Sequence, residues 1–414
     1  MNGKPFRRPD AKMDGILTVC RADEKKGEEL VRVSAVRQIR RKKADGFDLT
    51  AKTITTVGRG EGCDIRADNP LVSEKHFFIV FDGESCYIED AHSVGGTYVN
   101  NKKIKRQKLA DYDRISIPSA AYIFYANKLL YSTAAGGIRI DAVNVSKRVQ
   151  DRNAHGKISL VTDVSFRIEA GEFVAVVGGS GAGKSTLLDC VNGMRPATDG
   201  KIYYDSNDYY ENMNSYKGVV GYVPQRDILH DDLTVFDALR YTARLRIRAR
   251  LPKEELNARV AAAIADVRLQ GKEKLRISAL SGGQKKRVSI AMELLSDPKV
   301  IFLDEPTSGL SPDLDMEMME LLKDLTKKGR TVVIVTHAME NLDKCDKVAF
   351  LGRGGRLCYF GSSAGALRWF NRRSYSRVFA SLADEETSAA FASKFRAGEY
   401  YKNLYKQFTE EYGK

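Results

Sequence analysis

Nowhere in these 414 residues does an apolar run approach the ~18–20 residues that a membrane-spanning helix requires. The N-terminus is basic and polar, and it lacks the apolar stretch of a signal peptide. Cysteine is sparse and scattered: Cys20, Cys63, Cys86, Cys190, Cys345 and Cys358, with no Cys-x-x-Cys pair. That spacing argues against a disulfide framework or a zinc site and suits a reducing cytosol. Acidic residues are outnumbered, 54 against 67 lysines and arginines, for a net charge of +13. Such an excess suits nucleic acid or an anionic membrane surface equally, and charge alone does not choose. The length is enough for two or three domains, each with its own core.

What the chain does have is Gly178-Gly179-Ser180-Gly181-Ala182-Gly183-Lys184-Ser185, which fits the phosphate-binding pattern G-x-x-x-x-G-K-[ST]. The wholly apolar Phe173–Val177 precedes it, as a buried parallel strand would, and Thr186-Leu187-Leu188 opens a helix after it. Glycines let backbone N–H groups turn inward around phosphate oxygens, and the helix N-terminus adds positive potential there. Lys184 is expected on the β- and γ-phosphates of ATP, and the Ser185 hydroxyl on Mg²⁺.

The N-terminal third reads differently. Residues 1–13 are expected to form a basic tail. From 14 to 130, short alternating or apolar runs such as Phe77–Phe81, Thr97–Val99 and Ala121–Tyr125 are broken by turn pairs, Asp82-Gly83 and Gly95-Gly96. This predicts an all-β sandwich. Within it, Gly58-Arg59, Ser73-x-x-His76 and Ser93-x-Gly95-Gly96-Thr97-x-Val99-Asn100 follow the order of a forkhead-associated (FHA) domain, which this segment resembles. The resemblance implies a reader of phosphothreonine peptides, with Arg59 and Ser73 on the phosphate and His76 bracing the loops. The family usually has Asn where Gly95 stands, and Gly supplies no amide for the peptide backbone. A phosphothreonine reader and a purely docking sandwich are therefore both open. Basic runs at Arg37–Lys43 and Lys102–Lys108 read as solvated loops and hairpins, or as attraction to anionic lipid or an acidic partner. Residues 131–137 form the expected joint.

From 138 to 365, alternating strands and helices predict an α/β domain. Ile138–Val145 reads as an edge strand, and Lys147–Lys157 as polar loop. Gln225 ends one strand, Leu280-Ser281-Gly282-Gly283-Gln284 opens a helix, Asp304-Glu305 ends Val300–Leu303, and His337 ends Thr331–Thr336. This set is identified as that of the ATP-binding cassette (ABC) family, whose pentapeptide signature is Leu280–Gln284. The resemblance implies an ATP hydrolase in which Gly178, Gly179, Ser180, Gly181, Ala182, Gly183, Lys184, Ser185 and Thr186 hold ATP. Asp304, with Ser185 and Gln225, would hold Mg²⁺. Glu305 would act as general base, and His337 would bridge Glu305 and the γ-phosphate. It also implies a head-to-tail pair of cassettes, in which Ser281, Gly282, Gly283 and Gln284 reach the nucleotide of the other protomer.

Two departures stand out. Val149 lies near the place where many members stack an aromatic residue on adenine, and Ser311 stands where the loop after Asp304-Glu305 usually ends in Asp. Leu256, Val260, Ile264 and Val267 make one helical stripe, and Met318, Leu321, Leu322 and Leu325 another. Gln225–His230, Leu280–Arg287 and Lys347–Gly361 are closest in wording to the G subfamily, the eye-pigment and sterol type. In residues 366–414, aromatics at spacings of three and four predict a helical connector, which in that subfamily leads to the membrane domain.

The expectation is a two-module chain, sandwich then cassette with a helical subdomain, powering a permease domain that this chain does not contain, at the cytoplasmic face of a membrane. Its partners would be a second cassette, the permease and a phosphothreonine protein, and nucleic acid is not expected. The rival readings are a soluble ABC ATPase acting on ribosomes or DNA, and a phosphopeptide adaptor with a regulatory cassette.

Overall fold

The computed structural model describes residues 46–413 except 68–71, 101, 112, 118–119, 133–136, 151–155, 214–215, 217 and 248–251. The expected tail 1–13, the basic run Arg37–Lys43 and the centre of the expected joint lie outside the described residues.

Among the described residues, eleven short strands come first. They are β1 (Gly46–Asp48), β2 (Ile54–Gly58), β3 (Ile65–Arg66), β4 (Phe77–Phe81), β5 (Cys86–Asp90) and β6 (Thr97–Val99). Then follow β7 (Lys102–Ile104), β8 (Arg106–Lys108), β9 (Arg114–Ile117), β10 (Ala120–Tyr125) and β11 (Lys128–Ser132). They form two sheets, β1-β11-β10-β9-β6-β7 and β3-β2-β4-β5-β8. The period-2 alternation sets which side chains meet between them: Phe77 and Ile79 of β4 and Cys86 and Ile88 of β5 all point into one core. Phe77 packs edge-on against Tyr122, ring centroids 6.0 Å apart. Fully burying an aromatic or aliphatic side chain of this kind contributes about 1.5–3 kcal/mol. The basic run Lys102–Lys108 is the two short strands β7 and β8, its lysines and Arg106 mostly exposed.

The second module is built on one sheet of ten strands: β12 (Ile140–Gln150), β13 (Lys157–Ile168), β14 (Phe173–Val177), β15 (Asp199–Tyr204), β16 (Asn207–Asp208), β17 (Val220–Val223), β18 (Val300–Asp304), β19 (Thr331–Thr336), β20 (Lys347–Gly352) and β21 (Arg356–Gly361). Their order is β16-β15-β12-β13-β21-β20-β14-β19-β18-β17. The pairs from β20 through β14, β19 and β18 to β17 are parallel. The β14 strand shows why its sequence is apolar throughout: Phe173, Ala175 and Val177 face one core, and Val174 and Val176 the other.

Ile140–Gln150 is not the edge strand expected from the sequence. It lies between β13 and β15, and both it and β13 run on into the stretch read as loop. The misleading polar residues belong to a long antiparallel pair with register shifts, whose far end is exposed, so the alternation is broken there.

The helices are α1 (Lys184–Asn192), α2 (Tyr209–Asn212), α3 (Val235–Arg246), α4 (Lys253–Asp266), α5 (Gly282–Leu294), α6 (Pro312–Lys327), α7 (Ser363–Trp369), α8 (Tyr375–Leu382), α9 (Glu385–Ala397) and α10 (Glu399–Tyr412). Both stripes read from the sequence are buried, on α4 with its C-cap Val267 and on α6. The aromatics from Phe391 to Tyr412 lie on two helices, α9 and α10, that break at Gly398. Phe408 packs on the cassette with Val143 and Tyr203, and Tyr412 stacks flat on Tyr203 at 3.8 Å. The Tyr98 hydroxyl of the sandwich donates to Asn207 Oδ1 of the cassette at 2.9 Å.

Candidate nucleotide site

Four loops leave the carboxyl ends of adjacent parallel strands: the glycine loop after β14, His337 after β19, Asp304-Glu305 at β18, and Gln225 after β17. An α/β sheet gathers ligand-binding groups at this edge. Glycine is required at the loop's two ends. A Cβ on Gly178 would lie 2.5 Å from the Leu351 carbonyl oxygen, and one on Gly183, whose φ is +87°, 2.2 Å from that of Leu160. Between them, a Cβ on Gly179 or Gly181 would meet nothing, so the loop's mouth is open. Lys184 is buried and folds back to donate to the Gly179 carbonyl at 2.9 Å. Burial pushes its ammonium below the ordinary lysine value, against the pull of Glu305 and Asp304.

Ser185 donates to Asp304 Oδ1 at 3.1 Å, which joins the loop to the end of β18. Burial raises the Asp304 carboxyl, with the Ser185 bond opposing and the neighbouring Glu305 charge adding to the rise. Glu305 turns out of the strand with φ +48°, its N–H held by the Val335 carbonyl at 2.9 Å. Gln225 Nε2 donates to one of its carboxylate oxygens at 2.9 Å, and His337 Nδ1 lies 3.1 Å from the other. The left-handed backbone of a non-glycine residue at this point aims the carboxylate between the two.

Ser281, Gly282, Gly283 and Gln284 lie at the start of α5. Ser281 caps that helix, and Ser281 and Gln284 bond each other in a capping box. Among the described residues, no hydrogen bond or ion pair joins them to the glycine loop. The same helix holds two groups that sequence reasoning missed. Lys286, buried, donates to the Gln225 carbonyl at 2.9 Å and pairs with Asp227 at 2.8 Å. Ser289 also donates to Asp227, at 2.8 Å. The signal was a lysine on the same helical face as Gly283, Ser289 and Ile290, three and four positions away, which are buried. Val149 pairs with Ile158 in the exposed end of the β12–β13 ribbon, and Ser311 caps α6 without a side-chain bond.

In the sandwich, a Cβ on Gly58 would lie 2.2 Å from the Glu74 carbonyl oxygen, so the chain before Arg59 admits only glycine. The Arg59 side chain is half exposed, 3.9 Å from Glu74. Ser73 Oγ accepts from Val94 N–H at 3.1 Å. His76 is fully buried: its Nδ1 accepts from Ser73 N–H and its Nε2 faces the Gly96 carbonyl, each at 3.1 Å. One ring nitrogen must then accept and the other donate, which fixes a neutral tautomer, and burial holds its pKa below the usual histidine value. Asp90, also missed, accepts from Ser93 and Thr97 hydroxyls at 2.6 Å and shapes the same loop.

A strand, glycine loop and helix, with a carboxylate pair at the end of a neighbouring buried strand, define a P-loop ATPase. The Ser-Gly-Gly-Gln helix start and the Gln and His loops narrow the class to cassettes. The family model for ABC transporters matches residues 161–308, and that for the FHA domain matches residues 55–118. The chain is 35% identical over 263 residues to the methionine import ATP-binding protein MetN of Geobacillus kaustophilus, covering 62% of this chain and 75% of that one. It is 33% identical over 348 residues to the ABC transporter ATP-binding/permease protein Rv1747 of Mycobacterium tuberculosis, 83% of this chain and 39% of that one. With ABC transporter G family member 1 of Dictyostelium discoideum it shares 35% over 245 residues, 56% of this chain and 30% of that one. The chain thus belongs to the ABC transporter ATP-binding family, an ABC-type ATPase cassette preceded by an FHA domain. It spans 39% and 30% of the Rv1747 and G family proteins it matches.

Proposed function

We propose that this chain is the ATP-hydrolysing part of a membrane transporter, with the sandwich at 14–130, a joint at 131–137, the cassette at 138–365 and a connector at 366–414. The single observation that carries the catalytic reading is the Glu305 carboxylate held between Gln225 and His337, one residue from the Asp304–Ser185 pair.

The open glycine loop and the Ser185–Asp304 pair fit a nucleotide with its Mg²⁺, which Ser185, Asp304 and Gln225 would hold on this chain. When bound, the ion neutralises charge on the β- and γ-phosphate oxygens. Backbone N–H groups of Gly179 to Thr186 cradle the phosphates, and Lys184 exchanges the Gly179 carbonyl for phosphate oxygen. Glu305 takes the proton of the attacking water, while Gln225 and His337 hold its carboxylate in line. Gly283 and Ser281 serve the nucleotide of a second cassette. Closure of the pair on ATP and reopening after hydrolysis drive a permease domain in the parent protein or in trans, which places the chain at the cytoplasmic face of a membrane.

Glu305→Gln keeps the shape and removes the base. Turnover is expected to fall at least ~100-fold while ATP binding persists. Retained turnover would take Glu305 out of its role.

A regulatory role for the sandwich is favoured by Arg59, which is half exposed at the loop mouth and only loosely held by Glu74. A phosphothreonine peptide bound over its unphosphorylated twin supports recruitment of a phosphorylated protein, and equal affinity makes the module a docking sandwich.

A further inference from the structure

Four arginines stand close together beyond the sheet: Arg368 in α7, Arg372 and Arg373 in the turn after it, and Arg377 in α8. All four are exposed. With Leu367 and Asn371 they form the lining of a cavity of about 450 Å³. No carboxylate among the described residues forms an ion pair with any of them. Among the described residues, the Arg372 side chain meets the Ser381 hydroxyl at 3.2 Å and the Asn371 carbonyl at 3.3 Å. Elsewhere on the cassette, Arg195, Arg246, Arg268 and Arg287 each hold a carboxylate at 2.5 or 2.6 Å. Arg226, Arg244, Arg259, Arg276 and Arg353 are also exposed and hold no carboxylate among the described residues, so what sets this cluster apart is that four such arginines line one cavity.

Like charges around a concavity repel, and the concave wall focuses their potential. A planar guanidinium matches phosphate oxygens with two parallel bonds, so several of them facing one cavity suit a compact anion with more than one phosphate oxygen face. Arg373 also lines a second cavity, of about 710 Å³, whose walls include Thr307–Leu310 and His337–Glu340. The carboxylates there are Asp315, which accepts from Asn341 at 2.6 Å, and Glu340, and neither lines the arginine cavity. An anion among the arginines would lie one side chain from the loops that handle nucleotide.

We infer that the cavity between α7 and α8 is a binding site for a phosphate-bearing anion, a free polyphosphate or a phospholipid headgroup, separate from the glycine loop. The test uses the full chain carrying Lys184→Ala, so that the glycine loop contributes little and equally in every arm. Inorganic triphosphate is titrated by calorimetry against this protein, against the same protein with Arg372→Ala and Arg373→Ala, and against one with Arg259→Ala, an exposed arginine of α4. At least a ten-fold loss of affinity is expected for the Arg372/Arg373 pair and none for Arg259. Flotation with phosphatidylglycerol vesicles, against phosphatidylcholine alone, names the source. Capture lost with the arginine pair assigns a headgroup, and triphosphate binding without capture assigns a free polyphosphate. The inference is overturned if triphosphate affinity is undetectable, or equal with and without Arg372 and Arg373. It is likewise overturned if the pair alters only self-association by sedimentation, because the arginines would then serve a second copy of the chain.

Discussion

At the scale of single residues, the sandwich holds two of its loops together through one neutral imidazole. His76 accepts from Ser73 on one side and faces Gly96 on the other. Burial lowers its pKa from 6.5, so the unfolded chain takes the proton first. Stability is then complete above pH 6.5 and is lost as pH falls below it, toward the depressed folded value. Protonation turns Nδ1 from acceptor to donor and breaks the Ser73 bond. Hydrogen exchange across residues 72–99 of the full chain is expected to speed up from pH 7.5 to 5.5, once corrected for intrinsic rates. A flat profile would remove His76 from this role. Exchange is the right readout because a phosphopeptide's own second proton titrates near pH ~6 and would confound affinity. At pH 7.5, Arg59→Ala is expected to weaken a phosphothreonine peptide at least ~10-fold, the loss of one charge-assisted contact. Arg59, Ser73 and His76 were legible because their spacing is local. Asp90 was not, because a lone aspartate at a strand end looks like any solvated turn until Ser93 and Thr97 are seen bonding it. Lys286 was hidden for a different reason: its partner Gln225 lies 61 residues away.

At the scale of elements, the last helix is fixed by charge as well as by aromatic packing. Glu411 of α10 bonds both Arg139 and Arg167, which close on the buried Asp141 of β12, and the Tyr412 hydroxyl donates to Asp141 as well. Their side chains are at most 13% exposed. Removing one member of such a cluster leaves a like-charged pair short of its counter-ion, at a cost of about 3 kcal/mol, the low end for buried pairs because the guanidiniums keep some solvent. Glu411→Ala is therefore expected to raise exchange in residues 399–412 by roughly two orders of magnitude, with α1 unchanged. Unaltered exchange would mean that Phe408 and Tyr412 hold the helix alone. The aromatic spacing made this helix readable from sequence, but the ion cluster was not, since Arg139 and Glu411 are 272 residues apart. Separation in sequence, though shorter, also hid the interior position of β12, which only its pairing with both β13 and β15 reveals.

At the scale of the whole molecule, the proposed head-to-tail reading would leave one protomer incomplete. Ser281 and Gln284 spend their polar groups on capping α5, and nothing among the described residues links them to the glycine loop. If each nucleotide is held by the loop of one chain and the signature of another, two defects in different chains need not coincide. Lys184→Ala ruins the loop, and Ser281→Arg places a bulky cation where the partner's phosphate should come. Either protein alone has no intact site. Mixed and allowed to re-pair with Mg-ATP, they form some pairs in which the sound loop of one faces the sound signature of the other. Turnover should recover to roughly a quarter of the unaltered protein's, because about half of the pairs are mixed and each carries one of two sites. Steady-state phosphate release against mixing ratio measures this, and the optimum should fall at equal amounts. A mixture that stays as inactive as its components would mean that every chain completes its own site, and the head-to-tail pairing would have to be abandoned.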